Sequence, residues 1–354
     1  MKKKQITGNG KSVKPKIFDN ILQKKVPFYF ILLLLLAAVA ATVFITQFYF
    51  TEMEQKDESA SSNTSEYNIK RLKGYKFIQP LLSAKPVEES VEYNGIKQNV
   101  LELIQKYKDE GIITSASVYM RDFDKSNWFN ANGLEQYTPG SVLKIAVLMC
   151  YLRIEEEHPG ALEKTLVYST KLQTNLMPLI LKKSIELGKS YTVRQLLEYM
   201  IVYSDNAANS LLNQNLENEI FFRIFSDLGL KMPTPQGYQL TARECSRFME
   251  ALFNATYLNN KNSEYAMDLL TRTSYADGIV KGIPEPGITI AHKFGESGDT
   301  INRQLHETAI FYIKEKPYLI TIMTRGASNI DLTKLSGVVQ NIANLIYKHL
   351  VEKT

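Results

Sequence analysis

The chain has 354 residues, 44% of them hydrophobic, and a formal net charge of +5, which suffices for one large domain or two small ones. Its first 25 residues hold eight lysines against Asp19 alone. The remainder is therefore close to neutral, and the basic balance gives no reason to expect nucleic-acid binding.

Residues 1–25 read as a basic cytoplasmic tail. From Val26 to Phe50 there is no charged residue, a run long enough to cross a bilayer with some tilt. Tyr29, Phe48, Tyr49 and Phe50 sit near its ends, as interfacial aromatics do. The lysines in front place the N-terminus inside the cell and the rest outside. Ala38-Val39-Ala40 resembles a signal-peptide cleavage site, but the apolar run continues past it, which favours an uncleaved anchor. The expected localisation is the cell membrane, single-pass, with the main domain extracytoplasmic. Residues 51–92 form a linker. Thr51 to Glu66 is acidic and rich in serine, an external tether, and Tyr67 to Tyr93 carries no clear pattern.

The main domain is placed at 93–354. Ile96, Val100, Ile104 and Tyr107 recur at helical spacing. Thr114–Met120 and Asn127–Asn130 read as two strands joined by a turn at Asp122–Ser126. Thr138-Pro-Gly-Ser-Val-Leu-Lys144 then leads into the apolar run Ile145 to Leu152. Pro139 and Gly140 are turn residues, and the run is too long for one strand, so it reads as a buried helix with Ser141 in its first turn. Lys144, three residues on, shares the face of Ser141. A lysine buried in an apolar helix loses its proton readily and can act as a base. Ser141 also lies near the free N–H groups of the helix start, which favour a negatively charged intermediate. This is the chemistry of an activated serine nucleophile.

From Ser141 to about Leu270 the pattern is mostly helical. Ser204-Asp205-Asn206 falls between two helical segments. Strands return at Thr289–Phe294, Glu307–Ile313 and Tyr318–Thr324, the last two joined by a turn at Lys314-Glu315-Lys316-Pro317. Val338, Ile342, Leu345, Ile346 and Leu350 close the chain as an amphipathic helix. Strands from both ends of the domain imply an α+β fold: one antiparallel sheet flanked by terminal helices, with an inserted all-helical lobe and a site in the cleft between them. Cys150 and Cys245 fall in apolar helical patterns and read as buried free thiols, with a disulfide as the alternative.

Ser141-x-x-Lys144, Ser204-Asp205-Asn206 and Lys293-Phe294-Gly295 occur in the order of the Ser-x-x-Lys, Ser-Asp-Asn and Lys-Thr-Gly signature. From about Tyr93 onward the chain thereby resembles the class A β-lactamases and penicillin-binding proteins. The resemblance implies a β-lactamase/transpeptidase-like fold and a serine hydrolase acting on β-lactams or D-alanyl cell-wall peptides, with no cofactor and a monomeric catalytic domain. It implies attack by Ser141, with Lys144 as base and Ser204 relaying a proton to the leaving nitrogen. Asn206 would hold the substrate amide carbonyl, and Lys293 would supply positive charge for a substrate carboxylate. The backbone N–H groups of Ser141 and Glu296 would form the oxyanion hole, and Gly295 would let substrate lie close to the strand. A slowly deacylating D,D-peptidase-like protein and a non-catalytic wall or antibiotic sensor are the alternatives.

Two departures from the family pattern stand out. Phe294 replaces the hydroxyl residue of the third motif. The span Lys231–Leu240, where class A enzymes carry a deacylating glutamate, has no carboxylate. Other chemistries fit poorly. His158, His292, His306 and His349 are scattered without ligand spacing, which argues against a metal site, and no Gly-x-Ser-x-Gly elbow or phosphate loop is present.

Overall fold

The computed structural model describes residues 70–71, 76–78, 81–83, 89–171, 183–232, 237–299 and 301–353. The expected basic tail, membrane span and the whole of the tether lie outside these residues. Where the sequence pattern is silent, strands β1 (Lys70–Arg71) and β2 (Leu81–Ser83) pair antiparallel. Between them Phe77 and Ile78 are buried in the main core. The Phe77 N–H donates to both carboxylate oxygens of Glu264 at 2.9 and 3.0 Å.

Helix α1 (Asn94–Asp109) buries Ile96, Val100 and Ile104, as their spacing predicts. Strands β3 (Ile113–Asp122) and β4 (Trp128–Ala131) follow. Their turn is held by Asp122, whose carboxylate accepts from the N–H groups of Asp124 and Lys125. A 3₁₀ turn over Gly140–Leu143 enters α2 (Lys144–Glu157). The lobe continues with β5 (Thr165–Val167), β6 (Ser190–Thr192), α3 (Val193–Val202), α4 (Asn206–Gln214), α5 (Asn218–Asp227), α6 (Ala242–Phe253) and α7 (Asn260–Thr271). It is therefore not all-helical: β5 and β6 pair as a small antiparallel ribbon. Three residues per strand are too few to give a periodic signal. Thr192 and Thr241 start α3 and α6 through capping boxes with Gln195 and Glu244.

After the short α8 (Ile279–Gly282) come β7 (Ile290–Ser297), β8 (Gln304–Ile313), β9 (Lys316–Gly326) and the closing helix α9 (Leu332–Lys353). The five main strands form one antiparallel sheet in the order β4-β3-β9-β8-β7. The β8–β9 turn uses only Lys314 and Glu315, both with positive φ (47° and 67°), the conformation of a two-residue hairpin. Lys316 and Pro317, expected in the turn, already belong to β9.

Both faces of this sheet are covered. Tyr119, Ala291, Ile310, Leu319 and Met323 join the lobe core. Val118, Met120, Ala309, Phe311, Ile320 and Ile322 pack with residues of α1 and α9. Strict alternation then places Lys293 on the lobe face of β7, and His292 and Phe294 on the face toward the terminal helices. Cys150 and Cys245 are buried free thiols, and burial pushes both up to about 12.

Candidate active site

The turn that carries Ser141 is pinned to the sheet through Thr138. Its N–H donates to Gln304 Oε1 at 3.1 Å, and its carbonyl accepts from Ser297 Oγ at 2.8 Å. The same carbonyl accepts from His306 Nε2 at 3.0 Å. His306 Nδ1 accepts the Thr324 N–H, so the ring proton sits on Nε2. Burial drives the His306 pKa down to about 3, so this neutral donor persists through physiological pH.

Two glycines let the turn and β7 touch. Gly140 has φ +56°, and a Cβ there would lie 2.2 Å from the Glu296 carbonyl oxygen. A Cβ on Gly295 would lie 2.3 Å from the Pro139 oxygen and 2.8 Å from the Val142 nitrogen. The close approach at Gly295 is thus made by the protein's own turn, where the sequence reading expected substrate.

Lys144 begins α2 and is buried at 4% exposure. Its Nζ donates to the Ser204 carbonyl at 2.7 Å and to Asn206 Oδ1 at 2.7 Å, and lies 3.2 Å from Ser204 Oγ. Burial lowers its pKa to about 7, against the opposing charges of Asp205 and Glu296. Lys293 is fully buried on β7. Its Nζ donates to Ser204 Oγ at 2.9 Å and to the Phe294 carbonyl at 3.1 Å. Desolvation first, and the charge of Lys144 second, hold it well below an ordinary lysine.

Ser204 sits between the two amines with φ +53°, a region that costs a serine roughly 1–3 kcal/mol. Asp205 holds it there. One carboxylate oxygen caps α4 through the Ala207 N–H and accepts from Ser184 Oγ, and the other accepts the Ile185 N–H, each at 2.9 Å. Asp205 is nearly fully buried and had no assigned role in the sequence; its place immediately before a helix start was the available signal.

Ser141, Lys144, Asn206 and Glu296 line one cleft of about 320 Å³. Asn209 and Asn213, three and seven residues beyond Asn206 on α4, extend its wall toward Phe221 and Tyr238. Helical spacing from Asn206 would have found both asparagines. Phe294 leaves the cleft: its ring stacks on Tyr275 at 4.3 Å between centroids. Behind it, His292 Nδ1 and Glu307 Oε1 meet at 2.7 Å, both buried. Among the described residues no cluster of His, Cys, Asp or Glu is arranged to hold a metal.

A sequence profile described as the beta-lactamase enzyme family matches residues 96–350. The chain belongs to the beta-lactamase enzyme family. The match spans every motif residue of the cleft, from Ser141 to Glu296. No curated protein matches the sequence. Among solved structures, PBP-A aligns with a TM-score of 0.62 at 17% identity, over 75% of this chain and 99% of its own. A point mutant of PBP-A, as an acyl-enzyme complex with penicillin G, gives 0.64 at 18% identity, covering 76% and 100%. A class A beta-lactamase from Mycobacterium abscessus gives 0.61 at 18%, covering 72% and 99%. At these identities the likeness establishes the α+β fold of the family.

Proposed function

We propose that this beta-lactamase family member is a serine hydrolase that forms an acyl-enzyme on Ser141 with β-lactams or D-alanyl cell-wall peptides. Ser141 Oγ attacks the carbonyl carbon while Lys144 takes the hydroxyl proton. The N–H groups of Ser141 and Glu296 hold the oxyanion. As the C–N bond breaks, Ser204 passes its proton to the leaving nitrogen and recovers one from Lys144. Water then hydrolyses the ester. Asn206 orients the substrate: its Oδ1 is committed to Lys144, which leaves its Nδ2 to donate to the substrate amide carbonyl.

The observation that carries this reading is the environment of Lys144. A neutral amine has two hydrogens and one lone pair. Two acceptors at 2.7 Å take the hydrogens, and the lone pair remains for the proton of a serine hydroxyl. The reading is tested by incubating the protein with a chromogenic cephalosporin and following intact mass. A covalent adduct that Ser141→Ala abolishes supports it; no reaction with wild type rejects it.

The placement of this domain outside the cell membrane belongs to the same proposal and rests on the lysine-flanked run Val26–Phe50. The full chain should fractionate with membranes, and external protease should release a soluble domain beginning after about residue 51. A domain protected inside intact cells would reject that topology.

A further inference from the structure

Beyond Asn206 the cleft continues along α4, away from Ser141. At 3.6 residues per turn, Asn206, Asn209 and Asn213 fall within an arc of about 60° on that helix. The bond from Lys144 to Asn206 Oδ1 fixes this face as the one turned to the cleft, and all three asparagines line it. Asn213 Nδ2 donates to the Asn209 carbonyl at 2.8 Å and to Asn209 Oδ1 at 3.1 Å. Asn209 Nδ2 then remains a donor, and Asn213 Oδ1 an acceptor, without a partner among the described residues. Across the cleft, the Tyr238 ring packs edge-on against Phe221 at 5.9 Å and tilted against Phe225 at 5.6 Å. Those two rings set its direction. Its hydroxyl, whose pKa is raised by burial alone, has no hydrogen-bond partner among the described residues. Leu143 and Phe221, both half-buried, put apolar surface between these polar groups. From Asn209 to Tyr238 no described lining residue carries a charge.

We propose that this wall is a subsite for the acyl side of the substrate and takes an extended, uncharged peptide of about three residues. The inference rests on the acyl-enzyme reading, in which Asn206 holds the amide carbonyl where this peptide begins. From Asn206 to Asn213 the helix rises about 10 Å, which an extended chain covers in about three residues at ~3.3 Å each. Each residue of such a chain brings one N–H and one carbonyl. Asn209 Nδ2 meets a carbonyl, Asn213 Oδ1 meets an N–H, and the Tyr238 hydroxyl can meet either. Small apolar side chains go to Leu143 and Phe221. A charged side chain would give up water for a wall with no opposite charge, which is costly.

The test separates this subsite from the acyl-enzyme reading beneath it. The full-length protein is offered N-acetyl-D-alanyl thioesters with no, one, two, three or four alanines between the acetyl group and the D-alanine. Ser141 Oγ bonds to the carbonyl carbon, the C–S bond breaks, and the thiol leaves with the serine proton. Thiol release in the first turnover gives the acylation rate, and intact mass confirms the adduct on Ser141. The rate should rise at least tenfold from no alanine to three, equivalent to about 1.4 kcal/mol, and level off at four. Asn213→Ala and Tyr238→Phe should each cut that three-to-none ratio at least threefold. Both rates of a ratio come from one sample, so any loss of folded protein cancels. Glutamate or lysine in place of the outermost alanine should remove the gain which that residue brings. A wild-type ratio below ten, or the full ratio retained in either variant, overturns the subsite. An undiminished gain with the charged residues overturns its neutral character. Labelling of Ser141 by penicillin G in the same experiment leaves the acyl-enzyme reading standing in those cases. No labelling by penicillin G or by any thioester overturns both.

Discussion

Lys144 and Lys293 approach one oxygen from two sides: their Nζ atoms lie 3.2 and 2.9 Å from Ser204 Oγ. Two ammonium groups cannot share that position cheaply, so at least one amine is neutral when the site works. Lys144, lowered to about 7 by burial, titrates near neutrality. We predict that the rate of Ser141 acylation rises with pH through about 7 and levels off above it. Lys144→Arg should abolish acylation in a folded protein, because a guanidinium does not give up its proton. A flat profile from pH 5 to 9, with acylation persisting in the arginine variant, would move the base to Ser204 and Lys293.

The same residue makes a stability prediction. Lys144 titrates near 7 when folded, against an ordinary value of 10.5. Between those values the unfolded chain binds the additional proton, so stability must rise with pH across that window. Below about 7 both states are protonated and the penalty for burying the cation is fully present. Lys144→Met lacks this slope. Denaturant melts at pH 7 and pH 9 should show wild type gaining on the methionine variant by roughly 2 kcal/mol, from about 1.4 kcal/mol per pH unit. A constant difference would mean that Lys144 is charged throughout.

Gly140 and Gly295 give a prediction about the join between turn and strand. Gly140→Ala would add both a strained φ of +56° and a Cβ 2.2 Å from the Glu296 oxygen. We predict a loss of stability of ~2 kcal/mol or more, with acylation falling further than stability alone explains, because the Ser141 and Glu296 N–H groups part. Urea melts and labelling rates measured together decide this. A variant with wild-type values in both would show that the turn does not depend on the contact.

Much of this arrangement was legible in the sequence, for identifiable reasons. Ser141 and Lys144 stood out because a turn and a charge interrupt an otherwise apolar run, and α1, α9 and the β8–β9 hairpin followed from clean periodicity. What stayed hidden depends on contacts between distant segments. Phe294 could be recognised as a departure, but not that its ring stacks on Tyr275, because a sheet buried on both faces has no polar side to mark direction. Gly295 was assigned to substrate because nothing local to β7 reveals that Pro139 occupies the space. The roles of His306 and Asp205 are likewise hydrogen bonds across long sequence separations. Phe77 and Ile78 reach the core from a stretch whose composition gives no hint of burial.

Restoring the family hydroxyl is therefore not expected to restore a family property. Phe294→Thr removes most of a buried ring, and Phe→Ala changes in cores cost about 3–5 kcal/mol. Threonine should lose somewhat less, roughly 2–4 kcal/mol by the same measure, and its hydroxyl would face the Tyr275 side of β7. We predict a destabilised protein whose rate of Ser141 acylation by penicillin does not rise. Faster acylation of Ser141 by penicillin in Phe294→Thr than in wild type would show that this face of the strand does meet substrate.

The last prediction concerns the loss of the acyl group. Hydrolysing the Ser141 ester needs a water with a base in hydrogen-bond reach, a contribution of typically 10²–10⁴-fold. The span Lys231–Leu240 carries no carboxylate. Tyr238, which lines the cleft from that span, has its pKa raised by burial, so its hydroxyl keeps its proton and serves poorly as a base. Asn209 and Asn213 can hold a water but cannot take a proton from it. Lys144 must then serve both steps, while holding acceptors at 2.7 Å on Ser204 and Asn206. Glu296 lines the cleft, but on β7 it shares the parity of Phe294 and its Oε2 is buried, which turns its carboxylate from the lobe face. We predict that the penicillin adduct on Ser141 is lost more slowly than it forms and persists for minutes in intact-mass spectra, absent in Ser141→Ala. Rapid multiple turnovers with no trapped species would place an effective base in the cleft. In that case Glu296→Gln is the variant to make first, since losing turnover while keeping acylation would identify it as that base.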